Sequence, residues 1–560
     1  MSLLLAVILG LLAPDAPAPS ATDVKGRVDA LFREYDRSDS PGCALGVYRD
    51  GKIVYERGYG MANLELGVAN APQTVFDIGS TSKQFTAFSI HLLAREGKLS
   101  LDDDIRRWVP EIPSYGPTIT IRHLLHHTGG LRDYIELMEL QGLETEDLTT
   151  EADSLAVLSR QKAPNFPPGQ EYLYSNSGFF LLGVIVKRAS GQSLRDFAQA
   201  RIFGPLGMRH TQFNDAHDRI VPNRATGYKK AKTGGFSIDM GDWEQVGDGA
   251  VQTTVEDLQL WDENFYQPRV GDARLLDAMQ TVGVLNSGKK LTYASALVLQ
   301  DYRGLPTVSH GGAWVGYRAQ LLRFPQQKFS VACLCNFASA NPSRLAREVA
   351  VVYLEELLKP REISKPAKDA GGSMVKVPAS ALHRLAGAYV ERSDGEIVRL
   401  SVEGEKISGR RGRSSFTLTP LAGNRYRVQG LPEGEMVAAP GAAAAAGRSP
   451  LDLASVDESD ETETWEPVDL WTPAAAELDA FAGSYASEEL DTVWRLSVES
   501  GNLFIRHRGF PEDPLAPTVK DVFSLEGMTL HFVRGAGGAV TGFTLDDGRV
   551  RGIAFRKSAS

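Results

Sequence analysis

The run Asp77-Ile78-Gly79-Ser80-Thr81-Ser82-Lys83-Gln84-Phe85-Thr86-Ala87-Phe88 decides how this chain is read. Ser80 stands three residues before Lys83. The apolar positions Phe85, Phe88, Ile90, Leu92 and Leu93 predict a helix over 82–96. Residues three apart share a helix face, so the ammonium can sit beside the hydroxyl. The helix start offers free backbone N–H groups that favour developing negative charge. A serine hydroxyl is a weak nucleophile that needs a nearby base. A free lysine, with a pKa of about 10.4, serves as one near neutrality only if its site lowers that value. Alone, Ser-x-x-Lys is a short pattern that a long chain produces by chance.

Working outward, 43–48 and 52–57 read as two strands around the turn Asp50-Gly51. A second hairpin is expected over 318–324 and 328–337, and a closing helix over 343–358. Strands at both ends around a helical middle imply an α+β fold, an antiparallel sheet flanked by helices with an all-helical subregion. Two further groups carry chemistry. Tyr174-Ser175-Asn176 precedes an apolar helical run through Leu181, Leu182, Val184 and Ile185. A phenolate near Lys83 could share the base role, and the Asn176 amide could hold a substrate carbonyl and the lysine. The plainer reading of that segment by itself is a loop tyrosine at a helix start. His310-Gly311-Gly312-Ala313 lies just before the second hairpin, where glycines permit close backbone approach and leave N–H groups available. Its plainer reading is a tight turn into a strand.

The order of these three groups, with intervals of about 90 and about 135 residues, resembles the serine β-lactamase and penicillin-binding-protein superfamily. The chain is similar to its class C-like branch, with D-aminopeptidases, D-alanyl-D-alanine carboxypeptidases and lactamase-fold esterases. The stretches Ile119-Thr120-Ile121-Arg122-His123-Leu124-Leu125-His126-His127-Thr128-Gly129-Gly130 and Gly249-Ala250-Val251-Gln252-Thr253-Thr254 fit that branch. The resemblance implies Ser80 as acylated nucleophile, Lys83 and Tyr174 as the base and acid system, and Asn176 as a substrate-binding group. It places His310, Gly311 and Gly312 on the substrate strand and the backbone N–H groups of Ser80 and Ala313 in the oxyanion hole. It implies no cofactor and no metal, and His123, His126 and His127 have no carboxylate partner at ligand spacing. His310 stands where class C β-lactamases carry a lysine, and a histidine is only partly charged near neutral pH. That departure argues against efficient penicillin hydrolysis. The expected activity is hydrolysis through an acyl-enzyme of a small D-amino-acid peptide or amide, peptidoglycan-derived ones included. A lactamase-fold esterase is the alternative, and a penicillin-binding-like sensor or cell-wall binder is the non-enzymatic one.

Beyond residue 380 the pattern is almost wholly strands, and it repeats. Leu382, Ala386, Gly387 and Tyr389 return as Leu478, Ala482, Gly483 and Tyr485, and Arg399-Leu400-Ser401-Val402-Glu403 returns as Arg495-Leu496-Ser497-Val498-Glu499. The common offset predicts two similar antiparallel, barrel-like units. The first holds a low-complexity insert, 442–446, and an acidic run, 457–463, read as a solvated loop. The expected organisation is a signal peptide over 1–21, a hydrolase domain over 22–360, a Pro- and Gly-bearing linker over 361–379, and β units over 380–470 and 471–560.

The N-terminal apolar run, residues 3–13, is too short to span a bilayer and matches the core of a secretory signal, without the usual basic residue ahead of it. Export is therefore expected, with no membrane span in the mature chain. Three cysteines, Cys43, Cys333 and Cys335, exclude a disulfide scaffold and a four-cysteine zinc site. Cys333 and Cys335 share a strand face and read as buried free thiols. With 60 basic against 70 acidic residues the formal net charge is −10, which argues against a nucleic-acid partner. The sequence carries no sign of an oligomeric state.

Overall fold

The computed structural model of the chain describes residues 21–360, 377–378, 382–391, 397–412, 414–421, 425–431, 434–440, 449–455 and 462–558. All but Ala21 of the expected signal segment, nearly all of the linker, the 442–446 insert and most of the acidic run lie outside the described residues.

The first part is built on one six-stranded antiparallel sheet. Its strands are β1 (Cys43–Arg49), β2 (Lys52–Tyr59), β3 (Val298–Tyr302), β4 (Leu305–Trp314), β5 (Tyr317–Phe324) and β6 (Phe329–Cys335), in the spatial order β3-β4-β5-β6-β1-β2. Both expected hairpins are present, and the sheet closes where β1 pairs with β6. Helices α1 (Ala21–Leu31) and α6 (Pro342–Leu354) cover one face, burying Val28, Phe32, Leu345 and Val349 against Val47, Val331 and Cys333. The other face carries the helical region. There α2 (Lys83–Arg95) is buried along its length from Lys83 to Leu93, and α5 (Asn176–Ser190) from Asn176 to Val186. Burial on every side places both helices in the core, polar side chains such as Lys83, Gln84 and Asn176 included. Phe85 and Phe88 of α2 pack on Trp261, and Gly191 at φ 75° ends α5 in a left-handed turn. Two shorter helices, α3 (Ile121–Leu125) and α4 (Tyr134–Leu140), stand beside them.

One reading of the cysteines is corrected. Cys43 and Cys335 face each other directly across β1 and β6 and form a disulfide. Only Cys333 is a free, buried thiol. Spacing within one strand placed Cys333 and Cys335 on a common face, which holds. It could not show that closure of the sheet brings in Cys43 from 292 residues away.

Two all-β units follow. Eight strands between Gly387 and Val468 close into a barrel, and eight between Gly483 and Lys557 form a second antiparallel sheet. Tyr389 and Tyr485, paired by the repeat, each donate a hydrogen bond to the carbonyl four residues earlier, Leu385 at 3.1 Å and Phe481 at 2.7 Å. The second unit packs on α4 and on the segment after it: Trp494 Nε1 donates to Leu140 O at 3.1 Å, and Gln141 Nε2 to Leu490 O at 2.7 Å.

Candidate active site

Three pieces of chain converge at one cavity of about 960 Å³. The tight turn Gly79–Ser82 leads into α2, the N-terminus of α5 supplies Asn176, and the end of β4 forms the opposite wall. Ser80, Tyr174, Asn176, His310 and Ala313 all line it.

Close approach of β4 to the Ser80 turn depends on two glycines. A Cβ on Gly312 would lie 1.9 Å from Ile78 O, and one on Gly79, whose φ is +47°, would lie 2.6 Å from Ala313 N. The ladder sets the direction of the Ala313 amide. Trp314 and Tyr317 flank the two-residue loop Val315-Gly316 and form its bonded pair, so Gly312 and His310 bond to β5 as well. Gly311 and Ala313 therefore direct their N–H groups to the other side. There β3 pairs with β4 only as far as Ser309, and beyond that point the edge is open towards Ser80.

Lys83 is fully buried. Its Nζ donates to Ser80 Oγ at 2.9 Å, to Asn176 Oδ1 at 2.8 Å and to the Asp248 carbonyl at 2.6 Å. Burial pulls its pKa down to about 8, against the pull of the Asp248 and Asp133 carboxylates and with help from Arg549. Tyr174 is half-buried with its hydroxyl out of reach of solvent, and its ring lies 5.0 Å from Lys83 Nζ. Burial pushes its phenol well above the ordinary range, so it keeps its proton, and its hydroxyl forms no hydrogen bond of ordinary geometry although Ser80 lies beside it.

His310 differs from the expectation of partial charge. Burial, aided by Lys83, lowers its pKa to about 4, so the ring is neutral. Its Nδ1 lies 2.6 Å from Gly311 O and its Nε2 2.9 Å from the Tyr293 hydroxyl. Hydrogen bonding to the Gly311 carbonyl assigns the proton to Nδ1, which leaves Nε2 to accept from Tyr293.

Several residues at the site were not among those the sequence assigned to it. His127, at φ 55°, lays its ring 4.0 Å from that of Tyr174 and accepts from Ser175 N through Nδ1. His123, by contrast, caps its own helix through Thr120 N. Asp133 binds two helix starts at once: Oδ1 accepts from Ile135 N in α4, and Oδ2 accepts from Asn176 N at 2.6 Å in α5. Arg549, from a hairpin turn of the second β unit, lines the same cavity. Its guanidinium meets Asp133 Oδ2 at 3.2 Å and Glu136 Oε1 at 2.7 Å. The route Arg549–Asp133–Asn176–Lys83–Ser80 is thus continuous, and it joins segments more than 400 residues apart.

A family model described as Beta-lactamase matches residues 28–355. The chain belongs to the Beta-lactamase family. As a member of that family it is a serine hydrolase. A D-aminopeptidase of Cereibacter sphaeroides is 27% identical over 552 residues, covering 95% of this chain and 99% of that protein. A D-aminopeptidase of Brucella anthropi is 25% identical over 533 residues, covering 92% and 95%. The octameric penicillin-binding protein homologue from Pyrococcus abyssi superposes with a TM-score of 0.56 at 23% identity, over 80% of this chain and all of that one, and shares its fold. Among the described residues no helix of this Beta-lactamase family chain is long and apolar enough to cross a membrane.

Proposed function

We propose that the protein hydrolyses the amide bond of small D-amino-acid peptides or amides, peptidoglycan-derived ones among them, through an acyl-enzyme on Ser80. The observation that carries this reading is the buried Lys83 amine 2.9 Å from the Ser80 hydroxyl. With a pKa of about 8, roughly one Lys83 in ten is a neutral amine at pH 7. That amine takes the Ser80 proton as Oγ attacks the substrate carbonyl. The backbone N–H groups of Ser80 and Ala313 hold the oxyanion. Tyr174, still a phenol, donates its proton to the leaving nitrogen as the C–N bond breaks, and recovers one from Lys83. Water then attacks the ester by the same route in reverse. Asn176 holds Lys83 in line and offers its amide to the substrate. The two D-aminopeptidase relatives, matched almost end to end, support the D-amino-acid amide as substrate class. The neutral His310 supplies no cation for a β-lactam carboxylate, which sets penicillin hydrolysis aside.

The same reading extends to the chain as a whole. Export is supported by the N-terminal apolar run and by the Cys43–Cys335 disulfide, a bond that persists in oxidising compartments. A hydrolase domain over 22–360 followed by two β units, 380–470 and 471–560, accounts for the order of the sheets. The test is the initial rate on D-alanine p-nitroanilide against p-nitrophenyl butyrate. The anilide should be turned over, and Ser80→Ala should lower that rate by at least about 10³-fold and abolish labelling by a fluorophosphonate. Hydrolysis of the ester alone would replace the amidase with an esterase.

A further inference from the structure

We propose that the Asp248 carboxylate, with the Tyr134 hydroxyl beside it, is the seat for the free α-ammonium of the substrate residue that acylates Ser80. The proposal rests on the amide-hydrolase reading and names the group that would make the enzyme an aminopeptidase.

Distance comes first. In an amino-acid amide the α-nitrogen lies about 2.5 Å from the carbonyl carbon, because two bonds separate them. Attack from about 3 Å then fixes the ammonium within a few ångströms of Ser80 Oγ. Asp248 is in that neighbourhood. Its backbone carbonyl and the Ser80 hydroxyl are bound to the same Lys83 nitrogen, at 2.6 and 2.9 Å, and the residue lines the cavity with Ser80 and Asn176.

The carboxylate is also short of partners. Oδ2 accepts from the Tyr134 hydroxyl at 3.1 Å, whereas Oδ1 is buried and accepts no hydrogen bond. The residue is 6% exposed, so bulk water does not replace the missing donor. A buried acceptor left without a donor is costly, more so when charged. The other buried acid on the cavity wall, Asp77, uses Oδ1 to hold Gly79 N in the Ser80 turn, and Asp242 is exposed at the rim.

Charge completes the case. Asp133 has Arg549 as its partner. The cation that acts on the Asp248 carboxylate is Lys83, and in the proposed mechanism Lys83 must lose its charge to accept the Ser80 proton. At that moment Asp248 faces no cation of its own. A substrate ammonium replaces the lost charge where it is needed, and a neutral N-acyl group does not. An ammonium arriving beside Lys83 also disfavours a second cation there, so the correct substrate helps to make its own base.

The experiment measures kcat/KM for D-alanine p-nitroanilide and for its N-acetyl derivative in the wild type, Asp248→Asn and Asp248→Glu. The preference for the free amine, taken as the ratio of the two, is expected to fall at least 30-fold in Asp248→Asn, which keeps the shape and loses the charge. Asp248→Glu should retain more of the preference than Asp248→Asn. A ratio within threefold of wild type in both variants, with any loss shared equally by the two substrates, overturns the proposal and leaves Asp248 as a counter-ion of Lys83 only. Fluorophosphonate labelling of Ser80 reports that each variant is folded, and a variant that does not label is judged by the other. If wild-type enzyme labels but hydrolyses neither anilide, the amide-hydrolase reading itself fails.

Discussion

The two β units began from one pattern and have been put to different use. Both keep the repeated strand pair and the buried tyrosine bonded four residues back. The first closes around its own core of Tyr389, Phe416 and Trp465. The apolar core of the second runs on into the hydrolase region. The difference is visible at a single repeat position: Val398 of the first unit corresponds to Trp494 of the second, and Trp494 reaches Leu140 of α4. Around it the second unit sends Glu489 to Arg132 at 2.6 Å, both side chains almost wholly buried, and Arg549 into the cavity. A duplicated frame can thus stay a separate body or become a wall of the active site, and a few side chains decide which.

The largest expected effect tests the buried pair. Glu489→Ala leaves the Arg132 guanidinium buried without its carboxylate and should cost about 3–5 kcal/mol in denaturant unfolding followed through hydrolase activity. The matching test in the first unit is Glu463→Ala. Its pair with Arg411 is partly exposed, so a loss of at most about 1 kcal/mol is expected. Equal losses would break the contrast. Next comes Trp494→Ala, which opens a large cavity and removes the bond to Leu140 O, at a cost of about 3–5 kcal/mol. Val398→Ala should cost about 2 kcal/mol. It should leave kcat/KM as it was, whereas Trp494→Ala should lower it by loosening α4.

The contrast also shows what a sequence can and cannot carry. The helix after Ser80, both hairpins and the repeat were legible because each is a local period or a literal recurrence. Ser80, Lys83, Tyr174, Asn176 and His310 were picked out through their order and spacing; four of them line one cavity, and Lys83 is buried behind Ser80. Asp133 and Asp248 were not, because an aspartate beside an apolar helix reads first as a cap or a turn. Asp133 is indeed a cap, and its second bond, to Asn176 N, exists only once α4 and α5 are packed together. Arg549 sits after Asp547-Gly548, an ordinary hairpin turn, and nothing local says that the turn ends against α4. The disulfide was missed for the same reason, since Cys43 and Cys335 meet only when the sheet closes. His310 was seen, but its neutrality follows from burial, which spacing does not report.

A smaller effect is the most specific to the second unit. In the mechanism proposed above hydrolysis requires the neutral Lys83 amine, so kcat/KM should rise with pH through a limb near 8. Arg549 helps to hold that value down, while Asp133 and Asp248 push it up. In Arg549→Met the positive charge is gone and Asp133 acts on Lys83 with less opposition, so the limb should move to higher pH, by about half a unit to one unit. At pH 7 that is a loss of roughly three- to tenfold, equivalent to about 0.7–1.4 kcal/mol. Arg549→Lys restores the charge and should bring the limb back, even if some packing is lost. Arg410→Met, in the first unit, should not move it. A merely structural role for Arg549 would lower the whole profile without shifting its limb. A limb displaced in Arg549→Met and recovered in Arg549→Lys would therefore mean that the charge of the second β unit acts on the proposed base, Lys83.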